Sequence, residues 1–545
     1  MNILLVAIDS KYIHTNMALR YLKANLSMES QLIEFTIKDD ISFIETTILS
    51  NSPDVIAFSV YLWNVEIVIK LVDSIKNKSK AIIVLGGPEV SFEPKYFMEK
   101  SLIDYIICGE GEISFDLLVN AIQSTIPANN IPGLVYRNNA QIIQNPQVVI
   151  KDLNQLKNPY HLTNDIPKLG NRIQYIEMSR GCPYHCSYCL ASLDNNVRFF
   201  DIERVKTDIL YLMANGAKTF KFLDRTFNYK IDHALKIFEF IIAHHYEGTK
   251  FQFEITGDLL PTSLITYVNE HAPKGLFRFE IGIQSTNIET NRSVDRFQNN
   301  EKLFNNIRLI QEGGVIDLHL DLIAGLPLED ITRFSKTFDE VFNLYPKELQ
   351  LGFLKMLRGT KIRRESEKYR YVYDNSPPYE MRSNLFLSER DIQEIHFVEE
   401  VLETFWNKGF MTNTFKKIIK KEQSAFQFMG DFARYLLDLG FDFHRYQLSD
   451  LFMNLATYIE ITHRNQENII DNLKREYLER SKIKPHVWWS ESLSRSEKNT
   501  LFNALVKKYP TISIDDFNKY SVVMTYENHF LIILYYPNQQ IVIEY

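Results

Sequence analysis

Cysteine is scarce in this chain, four in 545 residues, so no disulfide framework holds it together. No run approaches the ~20 apolar residues that a bilayer requires, which predicts a protein without a membrane span. Residues 1–9 form a short apolar run ended by an acid, with neither a basic flank nor a small-residue cleavage site. They read as a first strand rather than a signal peptide, and the expected location is the cytoplasm. An excess of positive charge is missing too: 61 Lys and Arg stand against 68 Asp and Glu, a formal net charge of -7. That balance argues against general nucleic-acid or anionic-membrane binding. No G-x-G-x-x-G follows the first strand and no Walker lysine motif occurs, which removes the two commonest phosphate-binding readings. Internal repeats and low-complexity tracts are also absent.

What is present is an alternation of strands and helices in a chain too long for one core, so three or four domains are expected. Over 1–125, near-continuous apolar runs at 3–7, 32–37, 55–58, 81–85 and 103–107 alternate with amphipathic helical patterns. This is the pattern of a doubly wound parallel sheet, whose ligand lies at the carboxyl ends of the strands. Residues 126–170 are dense in turn formers, among them Pro132-Gly133 and Asn138-Asn139, and read as a linker with a short hairpin. A second series, at 173–178, 219–223, 251–255, 277–283, 319–323 and 349–353, predicts a partial or complete α/β barrel over 171–360. Residues 361–545 predict a mainly helical domain, with helices near 390–408 and 417–439 and two strand-like runs at 521–525 and 530–536.

Three of the four cysteines, Cys182, Cys186 and Cys189, fall within eight residues just after the first strand of the second series. One loop can wrap three corners of a cubane with this C-x3-C-x2-C spacing, and thiolates suit iron and zinc alike. Structural zinc would want a fourth ligand from a second C-x2-C or a histidine pair, and neither occurs. Three protein ligands leave one metal position open, as a catalytic centre requires. His185, inside the loop, reads as a neighbour of the site rather than a ligand. Cys108, after the run 103–107, reads as a buried structural thiol.

The spacing, its place after the first barrel strand and the preceding Ser179-Arg180-Gly181 resemble the radical S-adenosylmethionine (SAM) superfamily. The resemblance implies a 4Fe-4S cluster on the three cysteines, SAM chelated at the open iron, and a low-potential electron donor such as flavodoxin or ferredoxin. It also implies SAM contacts from Asp224 at the second strand end, Glu254 at the third, Glu280 with Gln284 and Ser285 at the fourth, and Gly325 at the fifth. For each of these, a satisfied strand-end polar group or a turn glycine is an equal reading.

Residues 1–125 are similar to the cobalamin-binding domain that precedes the radical domain in the cobalamin-dependent subgroup. That similarity implies contacts to cobalamin from Asp9, Ser59, Tyr61, Gly86, Gly87, Gly109 and Glu110. The D-x-H-x-x-G pattern of the histidine-donating form is altered, with Lys11 in the histidine position and His14 in the glycine position. His14 is then either a substitute lower ligand or a helix-terminal histidine facing solvent or the linker. Tyr61, Leu62 and Trp63 either pack on the corrin or begin a helix core. Trp488 and Trp489 either stack a substrate or fill a core contact. The subgroup implies methyl transfer to an unactivated carbon, with cyclisation, rearrangement, methylthio transfer and non-catalytic binding as alternatives. The substrate itself is not legible.

Overall fold

The computed structural model describes residues 1–123, 127–462, 464, 468–490 and 493–545. The boundary expected at 125 and 126 lies outside the described residues. The chain divides into two units, residues 1–329 with 352–388, and residues 330–351 with 389–545.

The first unit carries the first sheet and, apart from most of the last strand, the second. In the first, β1 (Ile3–Asp9), β2 (Ser30–Thr36), β3 (Val55–Ser59), β4 (Ile82–Gly86) and β5 (Tyr105–Ile107) run parallel in the order β2-β1-β3-β4-β5. The hairpin β6 (Leu134–Asn138) and β7 (Gln141–Gln144) extends this sheet antiparallel beyond β5, so the turn-rich segment contributes its edge. All seven residues of β1 are buried. Their alternation feeds two cores, with Leu4, Val6 and Ile8 on one face and Ile3, Leu5 and Ala7 on the other. Strand order reverses between β1 and β3, the crevice where such sheets bind ligands.

The second sheet is built from β8 (Ile173–Ile176), then, past the short antiparallel pair β9 (Ser179–Arg180) and β10 (Arg198–Phe199), from β11 (Thr219–Phe222), β12 (Lys250–Ile255), β13 (Phe277–Gln284), β14 (Asp317–Ala324) and β15 (Glu348–Phe353). Its order is β15-β14-β13-β12-β11-β8, an open six-stranded form of the expected barrel. One face is packed by phenylalanines: Phe253 lies 4.8 Å from Phe222, 5.1 Å from Phe238 and 5.7 Å from Phe277, ring centre to ring centre. After β15 a short pair, β16 (Val372–Tyr373) and β17 (Met381–Ser383), ends the unit.

The second unit is helical with a three-stranded antiparallel sheet, β18 (Ser521–Tyr526), β19 (His529–Tyr536) and β20 (Gln539–Glu544). β20 starts on two glutamines and has a weak alternation, so only two strand runs were apparent from the residue pattern. The helical run expected over 417–439 is two helices, Thr412–Ile419 and Ala425–Asp438. Ser424 divides them by accepting the Gln427 N–H at 3.1 Å as an N-cap. Trp488 and Trp489 meet edge to face at 4.5 Å, and Trp488 packs on Tyr477 at 4.5 Å, an aromatic corner of this unit. Among the described residues, no helix is long and apolar enough to cross a membrane.

Candidate active site

The cysteine loop leaves β9 and returns on β10. Gly181 starts it at φ +92°, where a Cβ would come within 2.5 Å of the Asn196 carbonyl oxygen, so only glycine fits. The Cys182 N–H donates to the Asp194 carbonyl at 2.9 Å, and Cys189 N–H to the Cys186 carbonyl at 3.0 Å. Ser192 Oγ donates to both the Cys186 and Cys189 carbonyls, at 2.9 and 2.7 Å. Cys182 and Cys186 are buried and Cys189 half-buried. Burial pushes the Cys182 and Cys189 thiols up, and the neighbouring Cys186 adds to both shifts, so the loop gathers soft donors that a cation must deprotonate. Among the described residues, no group of three or more His, Cys, Asp or Glu side chains is gathered closely enough to hold a metal ion. In a cluster each of the three thiolates would take its own iron. Thr226 Oγ1 lies 4.0 Å from Cys182 Sγ and Arg296 Nη1 4.0 Å from Cys186 Sγ, placing a hydroxyl and a cation beside the sulfurs. His185 is exposed. Cys108 is buried, with its thiol pushed up to about 12 by burial, an inert core group.

Opposite the phenylalanine layer, the second sheet carries charge. Lys221 Nζ pairs with Glu280 at 2.9 Å, His319 Nε2 with Asp321 at 2.8 Å, and His319 Nδ1 lies 3.9 Å from Glu280. Gln252 also donates to Glu280, and Arg278 bonds His319. Glu254 stands 3.6 Å from Arg225, its carboxyl pushed up by burial. Gln284 has φ +65° and a buried Oε1 without a hydrogen-bond partner, an acceptor left for a ligand. Lys221, Arg278, His319 and Arg296 were not singled out from sequence, since a lone polar residue in a strand carries no motif.

Besides Glu254 and Glu280, three more of the expected SAM-side residues have partners within the protein. Asp224 is 1% exposed and accepts from the Met178 N–H at 3.0 Å and from Ser179 Oγ, bracing the second strand end against the start of the cysteine loop. Burial pushes its carboxyl up to about 7, partly offset by those two bonds. Ser285 donates to Glu329 at 2.7 Å. The Gly325 carbonyl accepts from Tyr371 at 2.9 Å and Asn384 at 3.1 Å, and a Cβ there would meet Met381 Sδ at 2.0 Å.

At the first sheet's carboxyl edge, Asn16 joins Asp9 (3.3 Å) to Ser59 (2.9 Å), with burial pushing Asp9 up to about 6. Tyr61 and Trp63 stack at 4.5 Å with 5° between their planes. Trp63 (45% exposed), Tyr12 (54%) and Ile13 (44%) leave apolar surface at the β1/β3 crevice, which suits a flat macrocycle. Gly87 holds φ +112° with Val60 O 2.4 Å from any Cβ, closing the backbone tightly after Gly86. Gly109, at φ +85°, faces Gln147. Glu110 is committed elsewhere: it accepts from Arg198 (2.9 Å), Arg180 (3.3 Å) and the Ile150 N–H (2.7 Å), tying β5 to the cysteine loop. His14 turns from solvent to the second sheet, with Nδ1 2.7 Å from the Tyr175 hydroxyl on β8.

A doubly wound sheet followed by a three-cysteine α/β domain is the domain order of radical SAM proteins that carry a cobalamin-binding domain, and two family models match the chain in that order. The B12 binding domain model matches residues 3–119 and the radical SAM superfamily model residues 176–341. A third model, described as Protein of unknown function (DUF4080), matches residues 367–530. The cofactor set of these domains is cobalamin, SAM and a 4Fe-4S cluster.

Among curated proteins, the chain is 26% identical over 304 residues to the cobalamin-dependent radical SAM methyltransferase TokK of Streptomyces tokunonensis, covering 52% of this chain and 44% of that one. It is 27% identical over 248 residues to the anaerobic magnesium-protoporphyrin IX monomethyl ester cyclase of Synechocystis, covering 44% and 48%. The chain thus spans less than half the length of these relatives. Among solved structures, the cobalamin-dependent SAM radical enzyme OxsB with aqua-cobalamin bound shares the fold at TM-score 0.62 and 17% identity, over 88% of this chain and 78% of that one.

Proposed function

We propose that the chain reductively cleaves SAM and transfers a methyl group to an unactivated carbon, with cobalamin as the methyl carrier. The observation that carries this reading is the His14–Tyr175 contact, through which the ligand edge of the first sheet meets the charged face of the second. When bound, the cluster supplies one electron for SAM cleavage and cobalamin a carrier for the methyl group. The chain's own work is binding and positioning. Cys182, Cys186 and Cys189 hold the iron, and Arg296 offsets the negative charge of the sulfurs from 4.0 Å. Glu254, Glu280 and Gln284 offer acceptors for the ammonium and hydroxyls of SAM, while Asp224, Ser285 and Gly325 fix the strand ends that carry them. Tyr61 and Trp63 give cobalamin a flat face, Asp9 and Ser59 polar contacts, and Gly86, Gly87 and Gly109 close backbone approach. His14, already bonded to Tyr175, spaces the two cofactors rather than serving as a lower ligand. A substrate held between them gains the proximity advantage, which reaches about 7–11 kcal/mol.

The test is turnover with SAM deuterated at its methyl group, in extracts of cells lacking the protein. A labelled product together with S-adenosylhomocysteine and 5′-deoxyadenosine is expected. The likeness to a cyclase favours one second reading, in which 5′-deoxyadenosine forms but the product carries no label.

A further inference from the structure

Behind the cysteine loop lies an open groove of about 780 Å³, walled by the strap 147–151, by residues 195–199 and by Tyr229 and Lys230. Its lining has three cations, Lys151, Arg198 and Lys230, and no acid, in a chain whose net charge is -7. Arg198 is neutralised by Glu110 and Asp194. Neither Lys151 nor Lys230 has an acidic partner among the described residues, and Lys230 rests over the Phe199 ring at 4.1 Å. Between these cations sit exposed apolar side chains, Val148 at 62%, Val149 at 38% and Tyr229 at 46%. Unpaired positive charge around an apolar centre suits an acidic protein surface.

The groove also borders the metal loop. Asn195 adjoins Asp194, whose carbonyl accepts the Cys182 N–H at 2.9 Å, and Asn196 packs on Gly181. One covalent step and one hydrogen bond therefore link the groove wall to the first cluster ligand.

We propose that this groove is the docking face of an acidic one-electron carrier protein, an inference that rests on the radical SAM reading above. The carrier is oxidised by one electron and the cluster reduced by one, with no bond made or broken at the interface. That electron is the one SAM cleavage consumes.

The test follows bleaching of the cluster's visible absorbance in reconstituted protein, with either photoreduced flavodoxin or reduced methyl viologen, a small cation that needs no docking face. Lys151→Glu with Lys230→Glu should slow reduction by flavodoxin about 10–100-fold at low salt, since steering by such charges is of that order. The same pair should leave methyl viologen unaffected, and added salt should narrow the gap. Lys151→Arg with Lys230→Arg should keep the flavodoxin rate. Unchanged flavodoxin rates in the reversed variant, or equal slowing with both reductants, would overturn the docking face. The readout needs neither SAM cleavage nor methyl transfer, so failure of that chemistry leaves it intact. A preparation that takes up no iron overturns both.

Discussion

The two parallel sheets of the first unit solve one problem in opposite ways. β1 is buried on both faces and entirely apolar through Ile8, so the first sheet can offer chemistry only at its strand ends. β12 and β13 alternate instead, with Phe251, Phe253, Phe277 and Phe279 packed on one side and Gln252, Glu254, Arg278 and Glu280 half-buried on the other. Here the sheet's own face is the candidate site. A sheet whose central strand is apolar on both faces can receive a ligand only at its strand ends, whereas a sheet with one charged face can receive it on that face.

The largest effect expected is at the cysteine loop. Cys182→Ala, Cys186→Ala or Cys189→Ala should abolish the bound iron–sulfur cluster, read as iron content and visible absorbance after anaerobic reconstitution; a variant that retains full iron would remove that loop from the site. The face asymmetry is tested next. Phe253→Ala should destabilise the first unit by about 3–5 kcal/mol in urea denaturation, while Glu254→Gln, one residue away on the other face, should change stability by less than about 1 kcal/mol yet weaken SAM binding. Similar stability losses for the two would erase the distinction between the faces.

At the first sheet, Gly87→Ala should cost about 1–3 kcal/mol through its left-handed backbone and the nearby Val60 carbonyl, and weaken cobalamin binding in spectral titration. The smallest effect is in pH dependence, where the sheets again differ. Burial pushes Glu34 up, but Arg20 (2.9 Å) and Arg172 (2.7 Å) outweigh it and hold its carboxyl at about 2. Its contribution is present above the ordinary carboxylate range and lost as pH falls toward 2. Asp224 has the opposite sign: with its carboxyl at about 7, the fold binds a proton that the unfolded chain has released, so stability falls as pH rises from about 4 to 7. Urea midpoints against pH should lose the acid-side slope in Glu34→Gln and the neutral-side slope in Asp224→Asn.

Strand positions, the doubly wound pattern and the three-cysteine loop were determined by sequence alone, because each is local. Apolar alternation and ligand spacing are complete within a dozen residues. The partners of polar side chains were decided by tertiary structure. Lys221 meets Glu280 only because β11, β12 and β13 lie side by side in register. His14 reaches Tyr175 across 161 residues. Glu110 and Asp224 looked available at strand ends, but closure of the unit paired them with Arg198 and Ser179. A residue's chemistry is carried by its type, whereas its availability depends on which long-range neighbours satisfy it first, and no short stretch of sequence contains those neighbours.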